Sequence, residues 1–261
     1  MHKALWVGKT GLEAQDIALA TISNNMANAS TTGYKKDRAV FEDLIYQIQR
    51  QPGAQSSQNT ILPSGLQLGT GVRTVGTQKI FTQGDLQVTE QPLDLAVNGR
   101  GFFQIAMPDG NIAYTRDGTF HINNEGTIVN ANGYALEPQI DVPEQTKTIT
   151  IGKDGIVTMV SAGEIDPVEA GVIETVDFVN PAGLQSLGNN LFLATVASGE
   201  AQAGTPSLDG FGSIIQGALE NSNIKIVEEM VDMISTQRAY EMNSKVVSTA
   251  DSMLQFITQN L

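Results

Sequence analysis

The sequence predicts an α+β protein, with long N- and C-terminal helices forming a coiled-coil-like terminal domain and a central antiparallel β domain between them. Three observations predict it. Apolar residues recur every seven positions near both ends, neither Pro nor Gly occurs from Glu220 to Leu261, and the middle alternates short apolar runs with turn pairs ending in Gly. A chain of 261 residues is long enough to bury a sizeable core in one large domain or two small ones.

Residues 1–33 form the N-terminal helical segment. Leu5, Leu12, Leu19 and Met26 stand seven apart, with Ile22 beside them and Ala4, Ala14, Ala18 and Ala27 filling in. Such a repeat is the seam of a helix that expects a helical partner. Thr10 and Glu13 have the spacing of a capping box, in which hydroxyl and carboxylate satisfy each other's free amides. Gly8 and Gly11 each cost about 1 kcal/mol in a helix interior, so the first turns are expected to be loose or to order on assembly. The polar run from Asn28 to Gly33 supplies the stop.

Residues 34–70 read as an extended connecting segment or β arm. From about residue 49 to 71 the chain is rich in Gln, Ser, Gly and Pro with isolated aliphatics, a texture that suits a linker or an arm laid on a neighbour. Residues 71–221 read as the β domain. Strand-like runs occur at Thr148–Ile151, Ile156–Val160, Val176–Val179 and Leu191–Leu193, punctuated by Asp109-Gly110, Asp117-Gly118, Glu125-Gly126, Asn132-Gly133 and Asp154-Gly155 as hairpin turns.

Residues 222–261 form the C-terminal helix. Ile226, Met233, Tyr240, Val247, Leu254 and Leu261 stand at successive intervals of seven, and Val227, Met230, Ile234 and Ile257 widen the stripe. An unbroken helix here can reach about 55 Å. Glu228 and Glu229 suit the positive end of its dipole. The two stripes can pair inside one subunit or pack against other copies, and periodicity leaves both open. Burying each Leu, Met or Ile contributes roughly 1.5–3 kcal/mol, and about ten such residues exceed what one two-helix contact covers.

Composition excludes several classes. The formal net charge of −13 opposes nucleic acid, whose phosphates need a basic face, and disfavours anionic membrane surfaces. No stretch reaches the roughly 18 apolar residues of a membrane span, and the N-terminus does not read as a cleaved secretory signal. Without Cys there is no thiolate nucleophile or Cys-ligated metal. The two histidines, His2 and His121, lie at a frayed end and on a solvent-facing strand. Asp-Gly pairs are explained by turn chemistry without calcium. The pieces Leu68-Gly69-Thr70-Gly71 and Asn98-Gly99-Arg100-Gly101 lack the following helix and Lys of a phosphate loop. No catalytic residue, metal site or cofactor is assigned.

Three motifs carry a resemblance. Asn24-Asn25-Met26-Ala27-Asn28 followed by Thr31-Thr32-Gly33-Tyr34-Lys35 resembles the N-terminal signature of flagellar rod and hook proteins. Glu228-Glu229-Met230-Val231 followed by Gln237-Arg238-Ala239-Tyr240 resembles their C-terminal signature. Val97-Asn98-Gly99-Arg100-Gly101-Phe102-Phe103 and Tyr114-Thr115-Arg116-Asp117-Gly118 resemble their shared β-domain motifs. The likeness runs in order over essentially the whole chain. One departure is Lys225, where the family usually has a capping Asn or Asp, so the cap is expected to shift to Ser222 or Asn223.

The resemblance implies a non-enzymatic structural subunit of the basal-body rod in the periplasm. Such a subunit leaves the cell through the flagellar export apparatus and polymerises helically with its own copies. Chain length and the segment from Gln51 to Val72 resemble the distal rod subunits, a straight, rigid member, with a proximal rod subunit as the nearest alternative. Leu5, Leu12, Leu19, Ile22 and Met26 with Ile226, Met233, Tyr240, Val247 and Leu254 would build an inner tube around the export channel, with the β domain as an outer layer. Gln51, Pro52, Leu62, Pro63 and Leu66 would form an inter-subunit arm. Implied partners are further copies, proximal rod subunits, hook or hook-junction subunits and the ring bushing proteins. The competing classes are a secreted β-rich adhesin, which should tolerate loss of both terminal helices, and a cell-wall hydrolase, which would show turnover.

Overall fold

The computed structural model describes residues 2–53, 55–57, 60–61, 63–143, 145–161 and 166–259. The chain divides into two compact units. Unit 1 holds residues 1–27, 37–78 and 225–261, and unit 2 holds residues 28–36 and 79–224. The division differs from the expected boundary at residue 71, because the strand Val72–Lys79 pairs with Asp37–Asp43. Hydrogen bonding between distant stretches assigns it to unit 1, and no local composition shift marks that.

In unit 1 helix α1 runs over His2–Ala27 and helix α2 over Ile226–Gln259. They run antiparallel. Gly8 and Gly11 on the first turns of α1 meet Val247 and Asn243, whereas Asn25 near its end meets Glu229. The glycines are thereby explained: a Cβ on Gly8 would stand 2.7 Å from Val247 Cγ2, and one on Gly11 3.0 Å from Asn243 Nδ2. Their helix-propensity cost is offset by close approach of the partner helix, and the first turns are helical from His2. The Thr10–Glu13 capping box is not formed. Thr10 lies inside the helix, its hydroxyl donating to Val7 O at 3.0 Å. Three antiparallel pairings complete the unit: Asp37–Asp43 with Val72–Lys79, Gln47–Arg50 with Leu66–Leu68, and Gln55–Ser57 with Thr60–Ile61.

Unit 2 is built on a five-stranded antiparallel sheet in the order Leu136–Glu137, Phe103–Ala106, Ile112–Thr115, Leu191–Leu193, Gln185–Gly188. Neighbouring residues of this sheet belong to different cores. Phe103, Ala113 and Leu191 join the cluster around Leu95, Ile105, Phe120 and Val157, while Phe102, Tyr114 and Phe192 join one with Val176 and Phe178. Side chains alternate along a strand, so the middle of this sheet is covered on both faces, which is why Leu191–Leu193 reads as an apolar run; the outer strand Gln185–Gly188 is exposed. A three-stranded sheet, Thr146–Ile151, Ile156–Ser161 and Val168–Val172, contributes Ile151, Val157 and Met159 to the first core. The second core is a chain of edge-to-face rings: Phe81 on Phe102 at 5.4 Å, Phe102 on Phe178 at 5.8 Å, and Phe178 on Tyr114 at 4.8 Å.

The turn signals fare unequally. Gly110, Gly126, Gly133 and Gly155 have positive φ, as hairpin turns require. Asp117-Gly118 closes no hairpin. Thr115 and Phe120, on either side of it, pair with different strands, and Gly118 is needed because a Cβ there would strike the Leu95 carbonyl.

Candidate functional site: surfaces and junctions for assembly

Most of the seven-spaced residues lie in the seam between the two helices of one chain. Leu5, Leu12, Leu19, Ile22 and Met26 on α1 are half-buried, as are Met233, Val247 and Leu254 on α2, while Ile226 and Tyr240 are exposed. On α2 the half-buried or buried positions are Glu229, Met233, Thr236, Ala239, Asn243, Val247, Ala250 and Leu254. This three-and-four spacing is the pattern of one helix lying along another. The pairing that sequence left open is thus realised inside the subunit. Leu261 and the Ile257 side chain lie outside the described residues.

A second apolar set lies off that seam. Val227, Met230, Val231, Ile234, Met242, Val246 and Met253 are each half or more exposed. They recur at helical spacing, so the side of α2 turned away from the seam is rich in uncovered aliphatic surface. On α1, Trp6, Val7 and Ile17 are exposed. Large apolar side chains left in water at helical spacing offer surface to a partner.

Asn25 pins the helix pair. Its Nδ2 donates to Glu229 Oε2 at 3.2 Å and to Asp37 O at 2.9 Å, and its Oδ1 accepts from Asp37 N at 2.9 Å. Asn25 and Glu229 are 2% and 5% exposed. Glu229, read from sequence as a dipole partner, is thus a buried acceptor whose neighbour fixes where α1 sits along α2. A single buried polar pair of this kind specifies register between helices. Only the Asn-rich signature hinted at it.

The expected cap is corrected. α2 starts directly after Lys225, whose ammonium pairs with Glu228 at 3.1 Å. Asn223 does not cap. It accepts from Lys36 N at 2.8 Å and donates to Ile80 O and Thr82 O. Ser222 is buried with no hydrogen bond to its hydroxyl.

In unit 2, three charged residues meet away from water. Lys35 Nζ lies 2.6 Å from Glu220 Oε1, and Arg116 Nη1 lies 3.4 Å from Glu220 Oε2. Lys35 and Glu220 side chains are fully buried and Arg116 is 4% exposed. Backbone groups add to the shell: Lys35 donates to Thr82 O, Arg116 to Val97 O and Gly99 O, and Gly84 N to Glu220 Oε1, while Arg116 Nε is buried without a hydrogen bond. Burial lowers the Lys35 pKa, opposed by Glu220, and lowers that of Arg116 in the same way. Gly33 N also donates to Glu220 O at 2.7 Å. The segments by which the chain enters and leaves unit 2 are therefore held together, and Lys35 and Arg116 come from two of the sequence motifs quoted above. Glu220 carried no sequence signal.

The arm is exposed. Gln51, Pro52, Pro63 and Leu66 all face solvent, and Leu62 lies outside the described residues. Sequence reasoning passed over the base of this arm, where Ile45, Tyr46, Ile48 and Leu68 are also exposed. His121 is exposed on the strand Phe120–Ile122, as expected. Among the described residues no group of three or more His, Cys, Asp or Glu is placed to hold a metal ion, and no helix is long and apolar enough to cross a membrane.

Comparison with known proteins adds three family matches in chain order. Residues 5–35 match the flagella basal body rod protein family, residues 96–159 the flagellar hook protein FlgE/F/G D1 domain, and residues 215–260 the flagellar basal body rod FlgEFG protein C-terminal family. The flagellar basal-body rod protein FlgG of Buchnera aphidicola subsp. Schizaphis graminum is 52% identical over 99% of this chain and 100% of its own length. That of Borreliella burgdorferi is 47% identical over 97% of both. The flagellar hook-basal body complex protein FlhP of Bacillus subtilis is 30% identical over 98% of both. Among solved structures, the Helicobacter pylori hook protein FlgE2 matches at 12% identity and a TM-score of 0.25, over 71% of this chain and 43% of that one, an overlap too slight to bear on the fold.

Proposed function

The chain belongs to the FlgG family of flagellar basal-body rod proteins and is a structural subunit of that rod; from this premise we propose that it builds the distal rod, a rigid hollow shaft that carries torque from motor to hook and surrounds the export channel. Its work is mechanical and it catalyses nothing. The observation that carries the reading is the uncovered apolar side of α2. A helix whose seam is already filled by its own partner, yet which leaves Val227, Met230, Val231 and Ile234 in water, gains about 1.5–3 kcal/mol for each such side chain that a neighbour buries.

In this reading Leu5, Leu12, Leu19, Ile22, Met26, Met233, Val247 and Leu254 hold each subunit's helices as a pair, and neighbouring subunits close over the exposed side, Ile226 and Tyr240 included, to form the inner tube. The arm, including Gln51, Pro52, Leu62, Pro63 and Leu66, bridges to an adjacent subunit and stiffens the shaft. The remaining partners are proximal rod subunits below, hook or hook-junction subunits above, the ring bushing around it, and the export apparatus that delivers the chain. Leu12→Asp or Leu254→Asp should leave unit 2 folded, as read by near-ultraviolet circular dichroism, and abolish swimming. Normal motility in both variants would refute the inner-tube assignment.

A further inference from the structure

We propose that the face of unit 2 built by residues 178–199, a stretch that holds no charged residue of its own, is a contact surface for a second copy of this chain. The proposal rests on the rod-subunit reading and goes beyond it by naming the patch. Residues 178–199 contain no Asp, Glu, Lys, Arg or His, although the chain carries 28 acidic and 15 basic residues. The stretch is not hidden. Gln185–Gly188 is the outer strand of the five-stranded sheet and is exposed throughout, and Val179, Leu187 and Val196 are 77%, 43% and 104% exposed.

The patch has a firm base. Asn180 N donates to Ser198 O at 3.2 Å and Asn180 Nδ2 to Ala197 O at 3.0 Å, which brings the segments carrying Val179 and Val196 together. Beneath them Phe178, Leu184 and Phe192 are anchored in the buried aromatic core. The other exposed large apolar side chains described in unit 2 each have an acidic residue within three positions, as Val168 has Asp166 and Glu169 and Leu208 has Asp209. Leu187 and Val196 have no charged residue that near.

Charge selects the occupant. Each copy carries a formal net charge of −13, and like charges set opposite each other across a contact cost affinity. A second copy can approach most closely where charge is absent, whereas a basic partner would need acidic side chains that this face lacks. Strand addition is not the mode. The register shift between Ser186 and Gly188 places an irregularity at the open edge, and a bulged edge resists further pairing. Contact is therefore through side chains, and a face set against a different surface of the next copy propagates head to tail.

The test places the photoreactive p-benzoylphenylalanine at Val196, and separately at Leu187, in the full chain of a strain with no other copy of the gene. Cells are irradiated and basal bodies purified. The expected product has twice the chain's mass and yields peptides of this chain alone. A crosslink only to a different protein, or none at either site in rods of normal length, overturns the proposal and leaves the rod reading standing. Absence of the unsubstituted chain from purified rods would instead sink that reading. Should the photoreactive chains not assemble, Val179→Asp with Val196→Asp decides: rods should shorten or be lost with monomer circular dichroism unchanged, and full-length rods would overturn the proposal.

Discussion

Lys35, Arg116 and Glu220 are charged, yet they sit where charge is expensive, and only their mutual geometry makes the arrangement tolerable. Removing one partner from a buried ion pair typically costs about 3–5 kcal/mol, because it strands the other charge. Glu220→Gln should therefore destabilise unit 2 by that order, read as faster hydrogen exchange in Phe103–Ala106. Lys35→Met with Glu220→Gln should cost less than the two single changes together, since the pair acts as one unit. Tyr114 makes a second, pH-dependent case. Burial raises its pKa above 10.0, so in alkali the unfolded chain ionises first. The stability it contributes is complete below pH 10 and is lost as pH rises through the folded value. Tyr114→Phe, which keeps the ring on Phe178, should flatten the loss seen above pH 10 in urea unfolding; an unchanged pH profile would show that another group controls it. These residues were poorly legible in the sequence. Lys35 and Arg116 stood inside recognised motifs, but a Lys is exposed by default, and nothing around Glu220 announces that three distant segments converge on it.

At the scale of elements, the helices were legible because a seven-residue apolar repeat survives in one dimension, and the stop after Ala27 was written in the Asn-, Ser- and Thr-rich run that follows. The glycines and Thr10 misled because their reason is the other helix. Alanine at Gly8 should gain about 1 kcal/mol of helix propensity, but its methyl would meet Val247 at 2.7 Å, and overpacking costs typically about 1–3 kcal/mol. Gly8→Ala is therefore expected to be neutral or destabilising by thermal melting of the far-ultraviolet helix signal. The same change in a Val247→Ala background, where the obstructing methyl groups are gone, should be stabilising relative to Val247→Ala alone. If Gly8→Ala stabilises in both backgrounds, the close approach of α1 and α2 is not what the glycine serves. The strands show the complementary lesson. Ile156–Ser161 and Leu191–Leu193 were legible as apolar runs, whereas Val72–Lys79 was assigned to the wrong side of a boundary, because pairing with Asp37–Asp43 has no local signature.

For the whole molecule, the three motif blocks and their order led to the family, and full-length relatives bear it out. The sequence left open which apolar surface meets other copies. The heptad stripe looked like that surface and is largely spent inside the subunit. The uncovered side of α2 is the surface that the proposed reading sets between subunits, and only the folded structure separates it from the seam. The central claim, that this chain is the distal rod's building block, is tested most directly by electron microscopy of basal bodies from a strain lacking its gene. Rods that stop short, without outer ring or hook, are the predicted result, restored to full length by the gene in trans. A complete rod and hook in that strain would contradict the account.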